Sequence, residues 1–162
     1  MNNDNKFIYI TIAAVIAIFV VIALINKGDG TPAGAWEGTD IACLPNGHQN
    51  LAMHIHPTIS ISVDGVMEAI PANIGLNSGC MAEVHTHEAD GVIHIESITN
   101  KTFVLGDFFE VWGKEIDRSG YQTQVLADGK EVEDPSGLTL LDLQKIEVIY
   151  TSATSTTATT TQ

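Results

Sequence analysis

The residues best suited to chemistry in this chain are its histidines. All six lie between positions 48 and 94. Four of them form two His-x-His pairs, His54 with His56 and His85 with His87, and a fifth, His94, follows the second pair closely. Residues two apart on a β-strand project from the same face, and neutral imidazole nitrogens are good ligands for zinc and copper. The spacing therefore predicts a metal site built from strands.

A β-hairpin is predicted at Asp90-Gly91, the dipeptide most typical of a two-residue turn. Such a turn would give two cross-strand pairs, His87 with His94 and His85 with Glu96. All four side chains would share one face as metal ligands, with Glu96 either a fourth ligand or an acceptor that orients an imidazole. A three-residue turn would shift the register and loosen the cluster, and solvated surface histidines are the plainer alternative.

A second strand is predicted from Met53 to Val63, where apolar and polar residues alternate. His54 and His56 lie on its polar face and would complete the site if this strand neighbours the hairpin. The expected cofactor is a copper or zinc ion. Copper is slightly preferred, since imidazole-rich sites bind Cu²⁺ more tightly than Zn²⁺.

The chain has two cysteines, Cys43 and Cys80. In an oxidising compartment they would form a disulfide that closes a long loop. The alternative makes Cys80 a thiolate ligand of the metal, which would suit a reducing compartment. Both cysteines are in or beside the histidine-bearing part of the chain.

The net charge of -13 argues against a nucleic-acid partner, because such proteins carry basic patches. Between Gly28 and Asn100 the chain has no lysine or arginine. An acidic field over the histidines would attract cations, although it also helps protons to compete for imidazole. Solubility is the plainer explanation of the charge, but it does not account for the placement of the histidines.

The chain divides into four predicted parts. Residues 1–27 are a membrane anchor, because Phe7 to Ile25 is an uncharged apolar run long enough to cross a bilayer; a cleaved signal peptide is the alternative. Residues 28–35 are a linker, and 36–150 form a His-rich domain on the extracytoplasmic side of the cell membrane. Residues 151–162 are a disordered Thr/Ser-rich tail. Asn100 begins a glycosylation sequon.

The predicted fold is α+β, mainly antiparallel β-hairpins with one short helix. Further hairpin turns are expected at Asp64-Gly65 and Asp128-Gly129. The helix is expected over the Phe108 to Trp112 segment, with Gly113 as its terminator. A last strand covers Ile146 to Tyr150, and the C-terminal part is predicted to resemble a β-grasp.

Four motifs carry a resemblance to a known family. They are His-x-His-Pro, Ile-Pro-Ala-Asn-Ile-Gly, His-Thr-His-Glu-Ala-Asp-Gly-Val-Ile-His-Ile-Glu-Ser and Leu-Gly-Asp-Phe-Phe-Glu-Val-Trp-Gly. Together they resemble a family of archaeal and bacterial secreted or membrane-anchored proteins with no settled function. The resemblance covers about Met53 to Tyr150. It implies that these segments form one module, but it implies no activity.

Three functions compete at this point. The first is a membrane-anchored extracytoplasmic metal-binding protein in copper or zinc acquisition, storage or delivery, whose partners are the ion, the bilayer and a protein that accepts the metal. The second is a zinc- or copper-dependent enzyme, which needs an open coordination position. The third is a structural or adhesive cell-surface module.

Overall fold

The computed structural model describes residues 39–44, 47–77 and 79–153. The predicted anchor and linker, and the tail beyond residue 153, lie outside these ranges. Within them, no helix is long and apolar enough to cross a membrane. The described residues are mostly β-structure with one short helix, which confirms the α+β prediction.

The larger sheet has five strands. In chain order they are β2 (Thr58–Val63), β3 (Val66–Glu68), β8 (Tyr121–Ala127), β9 (Lys130–Glu131) and β10 (Lys145–Ser152). Their order across the sheet is β3-β2-β10-β8-β9. The central strand β10 runs parallel to β2 and antiparallel to β8. We call this the five-stranded sheet.

Two Asp-Gly turns form the outer hairpins of the five-stranded sheet. Val63 pairs with Val66 across Asp64-Gly65, and Ala127 pairs with Lys130 across Asp128-Gly129. In both turns the aspartate and the glycine have positive φ angles, as a type I′ turn requires. Both hairpins therefore form as the sequence predicts. The last strand extends two residues past the predicted boundary at 150.

The smaller sheet, which we call the His sheet, has three antiparallel strands in the order β1-β7-β6. They are β1 (Met53–Ile55), β6 (Val84–His85) and β7 (His94–Ser97). A separate two-stranded pair, β4 (Leu76–Asn77) and β5 (Cys80–Met81), precedes β6. In the chain, β1 precedes the first hairpin of the five-stranded sheet. The strands β4, β5, β6 and β7 lie between that hairpin and the helix.

The prediction of one continuous strand from Met53 to Val63 is wrong. The strand breaks before Pro57, so that β1 belongs to the His sheet and β2 to the five-stranded sheet. Proline has no N–H to donate to a strand partner. The carbonyl of Pro57 instead accepts a hydrogen bond of 2.9 Å from the Ile93 N–H. The break leaves His54 on β1, on the opposite side of the central strand β7 from β6.

The helix α1 (Leu105–Trp112) closes one side of the core. Its N-terminal Val104 N–H donates to the Asp107 carboxylate at 2.8 Å, and Gly113 ends it with φ 72°. Four helix residues are buried with both sheets in one hydrophobic cluster: Leu105, Phe108, Phe109 and Val111. This confirms the predicted helix and its end at Gly113, although the helix begins three residues earlier than predicted. The packing holds one face of the His sheet and leaves the other for polar side chains.

Candidate metal centre

The His sheet separates apolar from polar side chains by strand alternation. Val84 on β6 pairs with Ile95 on β7, and both are completely buried in the core. The opposite face carries the residues one position along each strand, where His85 pairs with His94. On the other side of β7, His54 pairs with Glu96. The central strand therefore presents His94 and Glu96 between partners from β6 and β1.

The predicted hairpin register is wrong, although His85, His94 and Glu96 do share one face of the sheet. His94 lies opposite His85 instead of His87. Glu96 lies opposite His54 of β1, and on its other side its backbone N–H donates to the Glu83 carbonyl. The chain between β6 and β7 is a longer loop, residues 86–93, and not a two-residue turn.

Tertiary contacts hold this loop in place. The Ile59 N–H of β2 donates to the Gly91 carbonyl at 2.8 Å. Gly91 has φ 81°, and a Cβ atom there would overlap the Ile59 carbonyl oxygen. Gly91 is therefore required because the backbones of the loop and of β2 approach closely there. The local sequence Asp-Gly is the same in a hairpin turn and in a loop of this kind, so it does not reveal this role. The loop carries His87 to the polar face beside His85.

The first group of potential ligands consists of His85, His87 and His94, and we call it the inner set. One nitrogen of each lies within 4.8 Å of the others. His85 is completely buried, and its Nδ1 donates to the Ala82 carbonyl at 2.8 Å. That bond leaves Nε2 unprotonated, a common arrangement of a metal-binding histidine. Its Nε2 lies 3.2 Å from His87 Nε2.

The separation of these two nitrogens suits coordination of a single ion. Two ligands at about 2.0 Å from a tetrahedral zinc are roughly 3.3 Å apart. His85 Nε2 and His87 Nε2, at 3.2 Å, match that spacing. The ring centroids of His87 and His94 are 4.6 Å apart, which brings the third imidazole next to the pair.

Two members of the inner set, His85 and His94, are kept neutral by their surroundings. Burial lowers the pKa of His85 from 6.5 to about 4, more than the Ala82 carbonyl and Glu96 raise it. Burial also lowers the pKa of His94, and the nearby imidazoles of His87 and His56 add to the effect. A histidine must be unprotonated to bind a metal. At neutral pH these two side chains are in the form that binds.

The second group, which we call the outer set, consists of His54, His56 and His94. Its ligand nitrogens also lie within 4.8 Å of one another. The ring centroids are 4.5 Å apart for His54 and His56 and 4.8 Å apart for His56 and His94. The His54 side chain is 47% exposed, whereas His85 is buried. The two sets differ in exposure and share His94.

Glu96 lies beside the sets without belonging to either. Its side chain is almost fully buried, between His48 on one side and His54 on the other. His48 Nδ1 is 2.6 Å from Oε2, and His54 Nε2 is 3.0 Å from Oε1. The second contact is not aligned as a hydrogen bond, and Oε1 accepts none among the described residues. A buried carboxylate oxygen without a donor is costly and favours a cation close by.

His48 is the residue whose place the sequence did not indicate. Its side chain contacts Glu96, and its ring centroid lies 5.4 Å from that of His87. The backbone bridge between Cys43 and Ala82 brings this part of the chain to the His sheet. The general clustering of all six histidines was the only sequence signal for it.

Cys43 and Cys80 form a disulfide with a Cα–Cα distance of 5.2 Å, which confirms the prediction and leaves no thiolate to bind metal at Cys80.

Glu83 is a second buried acidic residue of the His sheet region, and it already has a cation and a hydroxyl group as partners. Its buried carboxylate accepts from Lys101 Nζ at 2.7 Å and from Ser97 Oγ at 2.6 Å. This lysine therefore neutralises Glu83 and not Glu96.

No protein-family model matches the chain, and neither a curated protein nor a solved structure matches it. The family resemblance of the four motifs stays a prediction. Any function must be argued from the two histidine sets, which are groups that could hold a metal ion.

Proposed function

We propose that this protein is a membrane-anchored extracytoplasmic metal-binding protein that takes part in the acquisition, storage or delivery of copper or zinc. The observation that carries the proposal is the inner set. Two nitrogens, one of them held in its ligand tautomer by a backbone carbonyl, lie at the separation that one ion requires.

Exposure favours exchange of the ion over permanent retention. The outer set opens to solvent at His54, so an ion can reach the cluster without unfolding of the core. A purely structural zinc site is usually closed by four ligands. The open side supports acquisition or delivery, with a metal-accepting protein as the further partner.

The disulfide and the charge support the proposed location. Disulfides persist in oxidising compartments outside the cytoplasm, and Cys43–Cys80 lies in the same region as the histidines. The anchor proposed for residues 1–27 would hold the domain at the membrane surface. The acidic stretch from Gly28 to Asn100 would raise the local concentration of cations.

The strand order supports the proposed likeness to a β-grasp. Two N-terminal strands form a hairpin, a helix follows, and the last strand lies centrally and parallel to the first strand of the sheet. In this arrangement the His sheet is built from β1 and from the segment between the first hairpin and the helix. We propose that this added segment is the functional part and that the five-stranded sheet is its scaffold.

Titration of Cu²⁺ and Zn²⁺ into the metal-free full-length protein tests the proposal. Replacing His87 and His94 together by Ala removes two of three inner ligands, so affinity should fall by at least a hundredfold. Val66→Ala with Leu141→Ala is the control, because it changes two exposed side chains that belong to neither set; its affinity should stay within about threefold of the parent. If the double variant binds as tightly as the parent, the inner set is not the binding site.

A further inference from the structure

We infer that the histidine cluster holds two ions, with His94 as a ligand bridging them. The inference rests on the proposed metal-binding function and specifies how the same residues are used. The inner and outer sets each contain one His-x-His pair, and His94 is the one residue common to both.

The sheet order places the bridge in the middle. β7 lies between β6 and β1, so His94 has the His85 and His87 pair on one side and the His54 and His56 pair on the other. Its ring centroid is 4.6 Å from that of His87 and 4.8 Å from that of His56. In contrast, the two pairs do not form a set with each other. One ion therefore draws on one pair, and His94 is the ligand that both ions need.

Imidazole can serve two ions because its two nitrogens point in different directions. Binding through both requires that the remaining N–H bond of His94 breaks and an N–metal bond forms, with the proton going to solvent. With metal–nitrogen bonds of about 2.0 Å, the two ions would be about 6 Å apart. No electron transfer is involved, and the ions keep their charge.

The surroundings offer charge compensation for a second cation on the outer side. The Glu96 Oε1 is buried and accepts no hydrogen bond from the described residues, and it lies 3.0 Å from His54. An ion bound by His54 would place positive charge beside this oxygen. On the inner side, the Ala82 carbonyl already holds His85 with its Nε2 unprotonated, as metal binding requires. For this reason the inner set should fill first and the outer set second.

The experiment is a titration of Cu²⁺ into the metal-free full-length protein in mild detergent, followed by metal analysis and electron paramagnetic resonance. We expect two ions per chain, with a signal intensity well below two spins, because an imidazolate bridge couples the two unpaired electrons. His54→Ala with His56→Ala removes one exposed and one half-buried ligand and spares the core. This variant should hold one ion and show the full intensity of one spin.

His94→Ala tests the bridge itself and should weaken binding of both ions at least tenfold and abolish the coupling. His87→Ala, at a half-buried position, gives a second test of the inner side, because it removes one inner ligand and keeps the outer set complete; it should hold one ion per chain. A single ion per chain, or two ions with full uncoupled intensity, would overturn the inference while leaving metal binding intact. Absence of any bound ion would overturn both the inference and the proposed function.

Discussion

The two sheets of this protein differ in what fixes their strand pairing. In the five-stranded sheet, two-residue Asp-Gly turns connect neighbouring strands, and buried Ile61, Val125 and Val148 fill the interior. In the His sheet the strands are two to four residues long, and the buried groups include His85 and Glu96. Local turn chemistry fixes the two outer strand pairings of the first sheet, whereas distant contacts fix the pairing of β6 with β7 in the second.

This difference is of functional interest because a metal site must place ligands from several parts of the chain. The His sheet gains that precision from a disulfide, a loop docked on β2 and polar groups buried against the core. Each of these three constraints can be removed separately. Removing any one of them should destabilise the His sheet more than the five-stranded sheet.

The largest effect should follow removal of the disulfide by Cys43→Ser with Cys80→Ser. A loop of 37 residues corresponds to a loss of about 4 kcal/mol in the chain-entropy model. Urea unfolding of the parent and the variant measures it. Hydrogen exchange should also accelerate more at Leu44, whose amide bonds to Met81 beside the disulfide, than at Val148 in the central strand. Equal acceleration at both amides would contradict the proposed division between the sheets.

The next effect concerns the pH dependence of stability in the metal-free protein. The pKa of His85 is 6.5 before burial and about 4 in the folded protein. Between these values the unfolded chain binds more protons, so the free energy of unfolding falls as pH falls. The loss attributable to this residue should reach up to about 3 kcal/mol near pH 4. Urea unfolding from neutral pH down to about pH 4 measures it.

His85→Asn is the matched control for that titration. The Asn side chain has an N–H near the position of Nδ1, so it can still donate to the Ala82 carbonyl, but it does not titrate. Other groups with a lowered pKa, such as Glu68 beside Arg118, remain in both proteins and contribute equally. The decrease in the free energy of unfolding between neutral pH and pH 4 should therefore be at least about 2 kcal/mol smaller in the variant. Parallel curves would show that His85 is not the source.

The sequence was informative where structure depends on neighbouring residues. It predicted the hairpins at Asp64-Gly65 and Asp128-Gly129, the helix that ends at Gly113, and the Cys43–Cys80 disulfide. It could not give the register around Asp90-Gly91, because the contact that decides it is with Ile59 on another strand. For the same reason it missed the contact of His48 with Glu96, which joins distant parts of the chain.

The smallest predicted effect compares two glycines with nearly the same backbone. Gly91 has φ 81° and Gly65 has φ 80°, so alanine at either position costs about 1–2 kcal/mol in backbone strain. Nothing lies within 4 Å of a Cβ at Gly65, whereas at Gly91 it would overlap the Ile59 carbonyl oxygen. Overpacking of this kind costs a further 1–3 kcal/mol, roughly. Gly91→Ala should therefore destabilise the protein by about 2 kcal/mol more than Gly65→Ala.

Metal binding should separate the two variants further. Relief of the overlap at Gly91 requires the 86–93 loop to move away from β2, and this loop carries His87 of the inner set. Gly91→Ala should then lower the affinity for Zn²⁺, while Gly65→Ala, in a hairpin of the other sheet, should leave it unchanged. Urea unfolding and zinc titration of both variants provide the measurement. Equal stability and equal affinity would mean that Gly91 acts only as a turn residue, and that the docked loop does not position the ligands.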